Sequence, residues 1–154
     1  MSWDQGRAEV DRMLSAGELE RVHPSREHAE RLLGQARRHL ESARRTWDAD
    51  PEGAYGTLYD AGRKSLWAII ANQGLRPTRR GGHLAAYQAV VAQLDPPLGR
   101  ELRPFDRMRR RRNEAEYPDL DSPGLHVDDV RDDAVRIRAI VEIADRVLDA
   151  MPVY

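Results

Sequence analysis

The stretch VDDVRDDAVRIRAIVEIADRVLDAM, residues 127–151, decides the fold class. Its apolar residues Val127, Val130, Ala134, Ile137, Val141, Ala144, Leu148 and Met151 fall at alternating steps of three and four. That spacing is a helix with a continuous apolar seam, the pattern of a bundle or coiled coil. Ile140, Ile143 and Val147 widen the stripe, so the helix is expected to pack against two neighbours. Asp128, Asp129, Asp132 and Asp133 place negative charge near the positive end of its dipole. A seam of this kind needs partner helices, and the rest of the chain supplies them.

Working back towards the N-terminus, Pro104 to Glu116 reads as a helix, preceded by a turn at Leu98 to Leu102 and by the breakers Pro96 and Pro97. His83 to Leu94 forms another helix, and the segment Leu75 to Gly82, with three arginines and two terminal glycines, reads as a loop. Asp50 followed by Pro51 is a helix start, because Asp accepts a backbone hydrogen bond and Pro suits the first helical position. That helix, rich in Tyr55, Tyr59 and Trp67, is expected to run to Asn72 or Gln73 and stop at Gly74. Ser25 caps a further helix with Ala29, Leu33, Ala36, Leu40, Ala43 and Trp47 on one face. A short helix from Asp4 to Ala16 turns Val10, Met13 and Leu14 inward and ends at Gly17, and Leu19, Val22 and Pro24 follow as an extended strap. No stretch alternates as a strand would, and no hairpin dipeptide occurs. The expectation is an all-α fold: an antiparallel up-and-down bundle of five to six helices in one domain spanning 1–154, with 1–24 as N-terminal helix and strap and 25–151 as the bundle core.

Length and composition agree with this. The chain has 154 residues, 40% of them hydrophobic and 33% charged, which suits one compact unit under a charged surface. Apolar runs such as Leu66 to Ala71 fall far short of the roughly 20 residues of a spanning helix. The N-terminus lacks a basic region followed by an apolar one, so a cytoplasmic location is expected. Cysteine is absent, which excludes disulfides, thiolate nucleophiles and Cys-based zinc sites. His23, His28, His39 and His126 have no metal-ligand spacing, and neither a metal nor another cofactor is expected.

The net charge of −1 hides a strong asymmetry. Residues 76–112 carry ten arginines against Asp95, Glu101 and Asp106, whereas residues 113–154 carry four arginines against eleven acids. A basic segment of this density either binds a polyanion or is neutralised by the acidic helix that follows. Its centre is Arg109-Arg110-Arg111-Arg112-Asn113-Glu114-Ala115-Glu116-Tyr117-Pro118. On a helical wheel Arg112 lies about 20° from Phe105 and so continues the apolar face, while Arg110 and Arg111 point elsewhere. An inward arginine must be paired or must line a cleft, because burying it alone is costly. Glu116, four residues on, is a ready partner. Pro118 ends the helix at Tyr117, from where the phenol is free to fold back beside Arg112.

Arg112-Asn113-Glu114-Ala115-Glu116-Tyr117, near the end of the penultimate long helix of an all-helical chain, resembles the HEPN superfamily, the higher eukaryote and prokaryote nucleotide-binding domains. Tyr59-Asp60-Ala61-Gly62-Arg63-Lys64 and the helix start at Gly81-Gly82-His83 extend the resemblance to residues 20–150. It implies a bundle that dimerises with paired arginine motifs facing each other. It also implies a metal-independent endoribonuclease, often a toxin of a toxin–antitoxin or phage-defence system. The family's motif is an arginine, a polar residue and a histidine four to six positions beyond the arginine. Arg112 and Asn113 match the first two, and Tyr117 stands where the histidine is expected, as in some branches of the family. Family toxins are in some cases silenced by nucleotide addition to a motif tyrosine.

RNA cleavage without a metal needs a base for the 2′-hydroxyl, an acid for the leaving oxygen and positive charge for the transition state. Arg112 supplies the charge, Asn113 orients a phosphate oxygen, and Tyr117 completes the expected catalytic set as acid, stacking platform or phosphate donor. His83 is the best replacement for the missing histidine. With Arg79, Arg80 and Arg109 it forms the expected RNA-binding set, the glycines Gly81 and Gly82 offering a backbone nest for phosphate. The other reading is a non-catalytic HEPN module that binds RNA, a nucleotide or a partner such as a nucleotidyltransferase, with Arg112 and Glu116 as a plain salt bridge. The expected partners are therefore RNA, a second copy of the chain, and an antitoxin or nucleotidyltransferase; an apolar flank on the last helix also suits self-association. If the basic segment is an interface, RNA is retained at low salt and its affinity falls steeply as salt rises, whereas a purely structural bundle shows no affinity at either end of a filter-binding series.

Overall fold

The computed structural model describes residues 3–154. Its elements in chain order are α1 (Arg7–Ser15), β1 (Leu19–Arg21), α2 (Arg26–Thr46), α3 (Pro51–Gln73), β2 (Leu75–Pro77), α4 (Gly82–Leu94), α5 (Gly99–Leu102), α6 (Pro104–Glu116) and α7 (Val127–Val147). Six helices of two turns or more and the one-turn α5 make an all-α bundle, as the apolar periodicity predicts. Among the described residues no helix is long and apolar enough to cross a membrane.

The core forms around α3, which buries residues on almost every side: Ala54, Tyr55, Leu58, Tyr59, Ala61, Gly62, Ser65, Leu66, Ala68, Ile69 and Ile70 among them. Its ends are set as the sequence predicts. The Asp50 carboxylate accepts from the Gly53 N–H at 3.0 Å, and Gly74 closes the helix at φ +84°, a conformation that glycine adopts without strain. α2 begins at Ser25, whose hydroxyl accepts from the His28 N–H at 3.0 Å, and packs along α3. α7 packs on both α3 and α2, the two neighbours its wide stripe requires. Gly62 lets α6 and α7 close on α3, since a Cβ there would lie 2.7 Å from Ile137 Cδ1 and 3.1 Å from the Phe105 ring. The buried amides of Gln73 and Gln93 donate to each other at 2.7 and 3.0 Å and tie α3 to α4.

Several elements differ from the sequence expectation. The strap after α1 and the start of the loop after α3 pair as a two-stranded antiparallel sheet, with Leu19 opposite Pro77, Glu20 opposite Arg76 and Arg21 opposite Leu75. Three residues are too few to show a period of two, and the partners lie far apart in the chain, so no local signal marks them. Leu19 and Leu75 are buried, and Arg76 pairs with Glu20 at 2.6 Å across the strands. α1 spans Arg7–Ser15 rather than Asp4 to Ala16, and Leu14 is half-buried. α4 begins one residue earlier, at Gly82, and α7 ends at Val147 although Leu148 and Met151 stay buried.

The largest departure is Asp133. Read in the sequence as one of four acids complementing the N-terminal end of the α7 dipole, it is fully buried. Its carboxylate accepts from the Tyr55 hydroxyl at 2.7 Å, from Arg107 at 2.8 Å and from Arg136 at 2.8 Å, with Arg111 at 3.9 Å. One carboxylate thus joins α3, α6 and α7. Burial and this carboxylate push the Tyr55 phenol far above its ordinary pKa, so it stays a donor. Removing the carboxylate strands a buried hydroxyl, while the half-exposed arginines recover water. Asp133→Ala is expected to lower the unfolding free energy by about 2–4 kcal/mol, and Tyr55→Phe by about 1 kcal/mol, in urea denaturation.

Candidate functional site

α6 is held at its N-terminal half. Pro104 starts it, Phe105 and Met108 are buried, and Arg107 reaches Asp133. This anchoring carries Arg112 to the cleft between α3 and α6 on the line the helical wheel predicts. Its side chain is 27% exposed and pairs with Glu116 at 2.8 Å, while Nη1 donates to the Asn113 side chain at 3.4 Å. The guanidinium carbon stands 5.5 Å from the centre of the Tyr59 ring, a cation–π arrangement. Its Nε is buried and, among the described residues, has no hydrogen-bond partner. Arg110 points outward, and Arg109 pairs with Asp106 at 3.0 Å.

Tyr59 links Arg112 to a histidine. Its ring stacks on Phe105 at 5.1 Å, and its hydroxyl lies 3.1 Å from Nδ1 of His83, which the start of α4 presents to α3. Burial pushes the Tyr59 phenol up to about 12, so it remains protonated at neutral pH. Burial, then the charges of Arg63 and Arg112, hold His83 below the ordinary histidine value. The direction of this bond follows the His83 tautomer: with the proton on Nδ1 the ring donates to the Tyr59 oxygen and keeps Nε2 as a lone-pair acceptor, and with the proton on Nε2 the Tyr59 hydroxyl donates to Nδ1. Next along α3, Arg63 stacks over Trp67 at 5.0 Å and pairs with Asp60 at 3.2 Å; its side chain is only 17% exposed. The Trp67 ring meets His83 edge-on at 6.5 Å.

The adjoining cleft has a volume of about 340 Å³ and is lined by Gly53, Gly56, Thr57, Asp60, Arg112 and Glu116 among others. At Gly56 a Cβ would meet nothing within 4 Å, so the α3 backbone is open there, whereas at Gly53 the capping Asp50 carboxylate fills the space. Arg112 is the cation of the cleft lining, against Glu52, Asp60 and Glu116, while Arg63 lies further along α3 outside that lining; each arginine is already held by one carboxylate. Such partly exposed pairs contribute only about 0–1 kcal/mol, so a phosphate that offers two oxygens to a guanidinium competes with them.

Of the residues singled out in the sequence, the structure brings together Arg112, Asn113 and, through Tyr59, His83. It does not bring Tyr117 to them. Tyr117 caps α6 in the extended conformation that Pro118 favours, its N–H bonded to the Asn113 carbonyl at 3.0 Å, and its side chain is 78% exposed. Arg79 and Arg80 are exposed, and Arg80 donates to the Ala16 carbonyl at 3.1 Å, at the end of α1. The Gly81-Gly82 nest is closed from within: the Gly81 N–H goes to the Thr78 hydroxyl at 3.4 Å and the Gly82 N–H to the Thr78 carbonyl at 3.0 Å. His39 is half-buried rather than on the open surface, with Nε2 2.8 Å from the ammonium of Lys64. Tyr59 and Arg63, part of the stretch that extends the resemblance, and Trp67 also join the site, with no individual role assigned to them beforehand. Their spacing of four residues along α3 is the signal, since it places all three on one helix face.

No protein family, curated protein or solved structure matches this chain.

An NMR titration of the His83 ring is expected to give a pKa below the ordinary value of about 6.5. Arg63→Ala and Arg112→Ala each remove a nearby positive charge, so each variant moves that pKa upward. An unshifted His83 in the wild type removes the electrostatic coupling on which the site depends.

Proposed function

We propose that this chain is an HEPN-type protein directed at RNA, a metal-independent endoribonuclease of a toxin–antitoxin or phage-defence system. The observation that carries the reading is the Arg112–Tyr59–His83 arrangement. In it Arg112 and His83 meet the same tyrosine and His83 is biased towards its neutral form, which supports the reading although the motif position itself holds Tyr117.

In this reading Arg112 binds the scissile phosphate, and Asn113 keeps the guanidinium turned towards it. In the tautomer that carries its proton on Nδ1, His83 takes the proton of the 2′-hydroxyl through Nε2, and Tyr59 holds the ring in place as a positioning residue. The 2′-oxygen attacks phosphorus, the bond to the 5′-oxygen breaks, and a proton from water completes the leaving alcohol. The products are a 2′,3′-cyclic phosphate and a 5′-hydroxyl end. Arg63 and Arg112 stabilise the charge that develops on the phosphoryl oxygens. Arg79, Arg80 and Arg109 then serve as more distant phosphate contacts.

The second reading, a module that binds RNA, a nucleotide or a nucleotidyltransferase without cleaving, is favoured by the Arg112–Glu116 pair and by the outward position of Tyr117. Incubation of mixed cellular RNA in EDTA separates the two. Cleavage by the wild type, lowered about 10²–10⁴-fold in Arg112→Ala and in His83→Ala, is the expected outcome. Its rate should rise with pH through an apparent pKa below about 6.5, because the base form of His83 persists further into acid than that of a free histidine. An absence of cleavage, with RNA still retained at low salt, selects the binding module.

A further inference from the structure

The face of α3 that lines the cleft continues beyond it. Gly53, Gly56, Thr57 and Asp60 lie on one side of that helix, and on a helical wheel Lys64 falls among them, one turn or about 6 Å past Asp60. Lys64 is the only lysine in the chain. Its ammonium stands 2.8 Å from Nε2 of His39 on α2. An ammonium can only donate, so that nitrogen accepts and the ring is uncharged in this pair. Burial, then the charge of Lys64, holds His39 below the ordinary histidine value and keeps it in that form at neutral pH.

Other cations around the cleft are held by acids: Arg112 by Glu116, Arg63 by Asp60 and Arg109 by Asp106. Lys64 has no carboxylate partner among the described residues, and neither has Arg38, the neighbour of His39 on α2 whose charge also acts on that ring. Asp60, one turn before Lys64, is engaged by Arg63. A neutral imidazole thus fixes the direction of the ammonium without cancelling its charge. A half-buried cation with no counter-ion is costly, and two of its three N–H groups remain for an anion that relieves it.

We propose that Lys64 is a second phosphate-binding position, which takes a further phosphodiester of the strand whose scissile phosphate sits on Arg112. Given the RNA-directed function proposed above, on which this assignment rests, the substrate is an RNA strand with several phosphates rather than a mononucleotide. A backbone contact of this kind sets the path of the strand along α3 and carries no base preference.

Anisotropy of a fluorescent single-stranded RNA, 2′-O-methylated so that it cannot be cut, tests this with the full chain over a salt series. Lys64→Gln, its folding checked by circular dichroism, is expected to bind about tenfold more weakly and to flatten the log–log salt slope by about 0.7. His39→Gln keeps a neutral acceptor and retains the wild-type affinity, whereas His39→Glu pairs the ammonium internally and falls to the level of Lys64→Gln. A dinucleoside monophosphate, with its single phosphate, is expected to bind wild type and Lys64→Gln alike. Unchanged affinity in Lys64→Gln, with Arg112→Ala still weakened, overturns the second position and leaves the RNA-directed reading standing. So does an equal loss in the two His39 variants, or a dinucleotide whose binding itself depends on Lys64. A wild type that retains no RNA at low salt overturns both.

Discussion

The carboxylate of Asp133 is the interaction on which the placement of the cleft depends. A buried aspartate is costly unless its oxygens are filled, and here a phenol and two guanidiniums fill them. Those donors come from α3, α6 and α7, so satisfying one charge fixes the relative positions of three helices. The arginines stay half in water, which lowers their desolvation, while the aspartate does not. Arg107 is one turn below Arg111 and Arg112 on α6. Pinning Arg107 therefore sets the rotation of the helix and decides which arginine enters the cleft.

Within the cleft the same economy of charge applies. Arg112 is oriented by the face of Tyr59 and by Glu116, and neither contact saturates it: among the described residues Nε has no hydrogen-bond partner. Tyr59 in turn joins Phe105, Arg112 and His83 in one contact chain. An aromatic ring serves this purpose well because it offers a π-face to the cation and a hydroxyl to the imidazole. The positive field of Arg63 and Arg112 acts on both, favouring a neutral histidine beside a fixed cation.

Sequence and structure agree where the signal is local and periodic. Asp50-Pro51, Ser25 and Gly74 mark helix ends through their own backbone chemistry, and the seam of α7 declares its two partners. Arg112 was legible as well, because a helical wheel needs only spacing. What escaped depends on contacts between distant segments. β1 and β2 are three residues each and exist by pairing. Asp133 reads as one more acid at a helix start, and only the convergence of Tyr55, Arg107 and Arg136 makes it internal. Tyr117 sat correctly at a helix end, but proline at 118 turned its side chain to solvent instead of back to Arg112. The glycines at 81 and 82 suggested an open nest, and Thr78 occupies it.

The close approach at Gly62 gives α6 a particular mechanical character. Phe105 and Met108 are clamped in the core beside that glycine, whereas from Asn113 to Tyr117 the helix buries no side chain fully. α6 is a cantilever, fixed at one end and loaded at the other. On that burial pattern amide exchange is expected to be slower near Met108 than towards Tyr117. Arg112 sits where the fixed span passes into the free one, so bending of the tip changes the width of the cleft without unseating the arginine from its aromatic support.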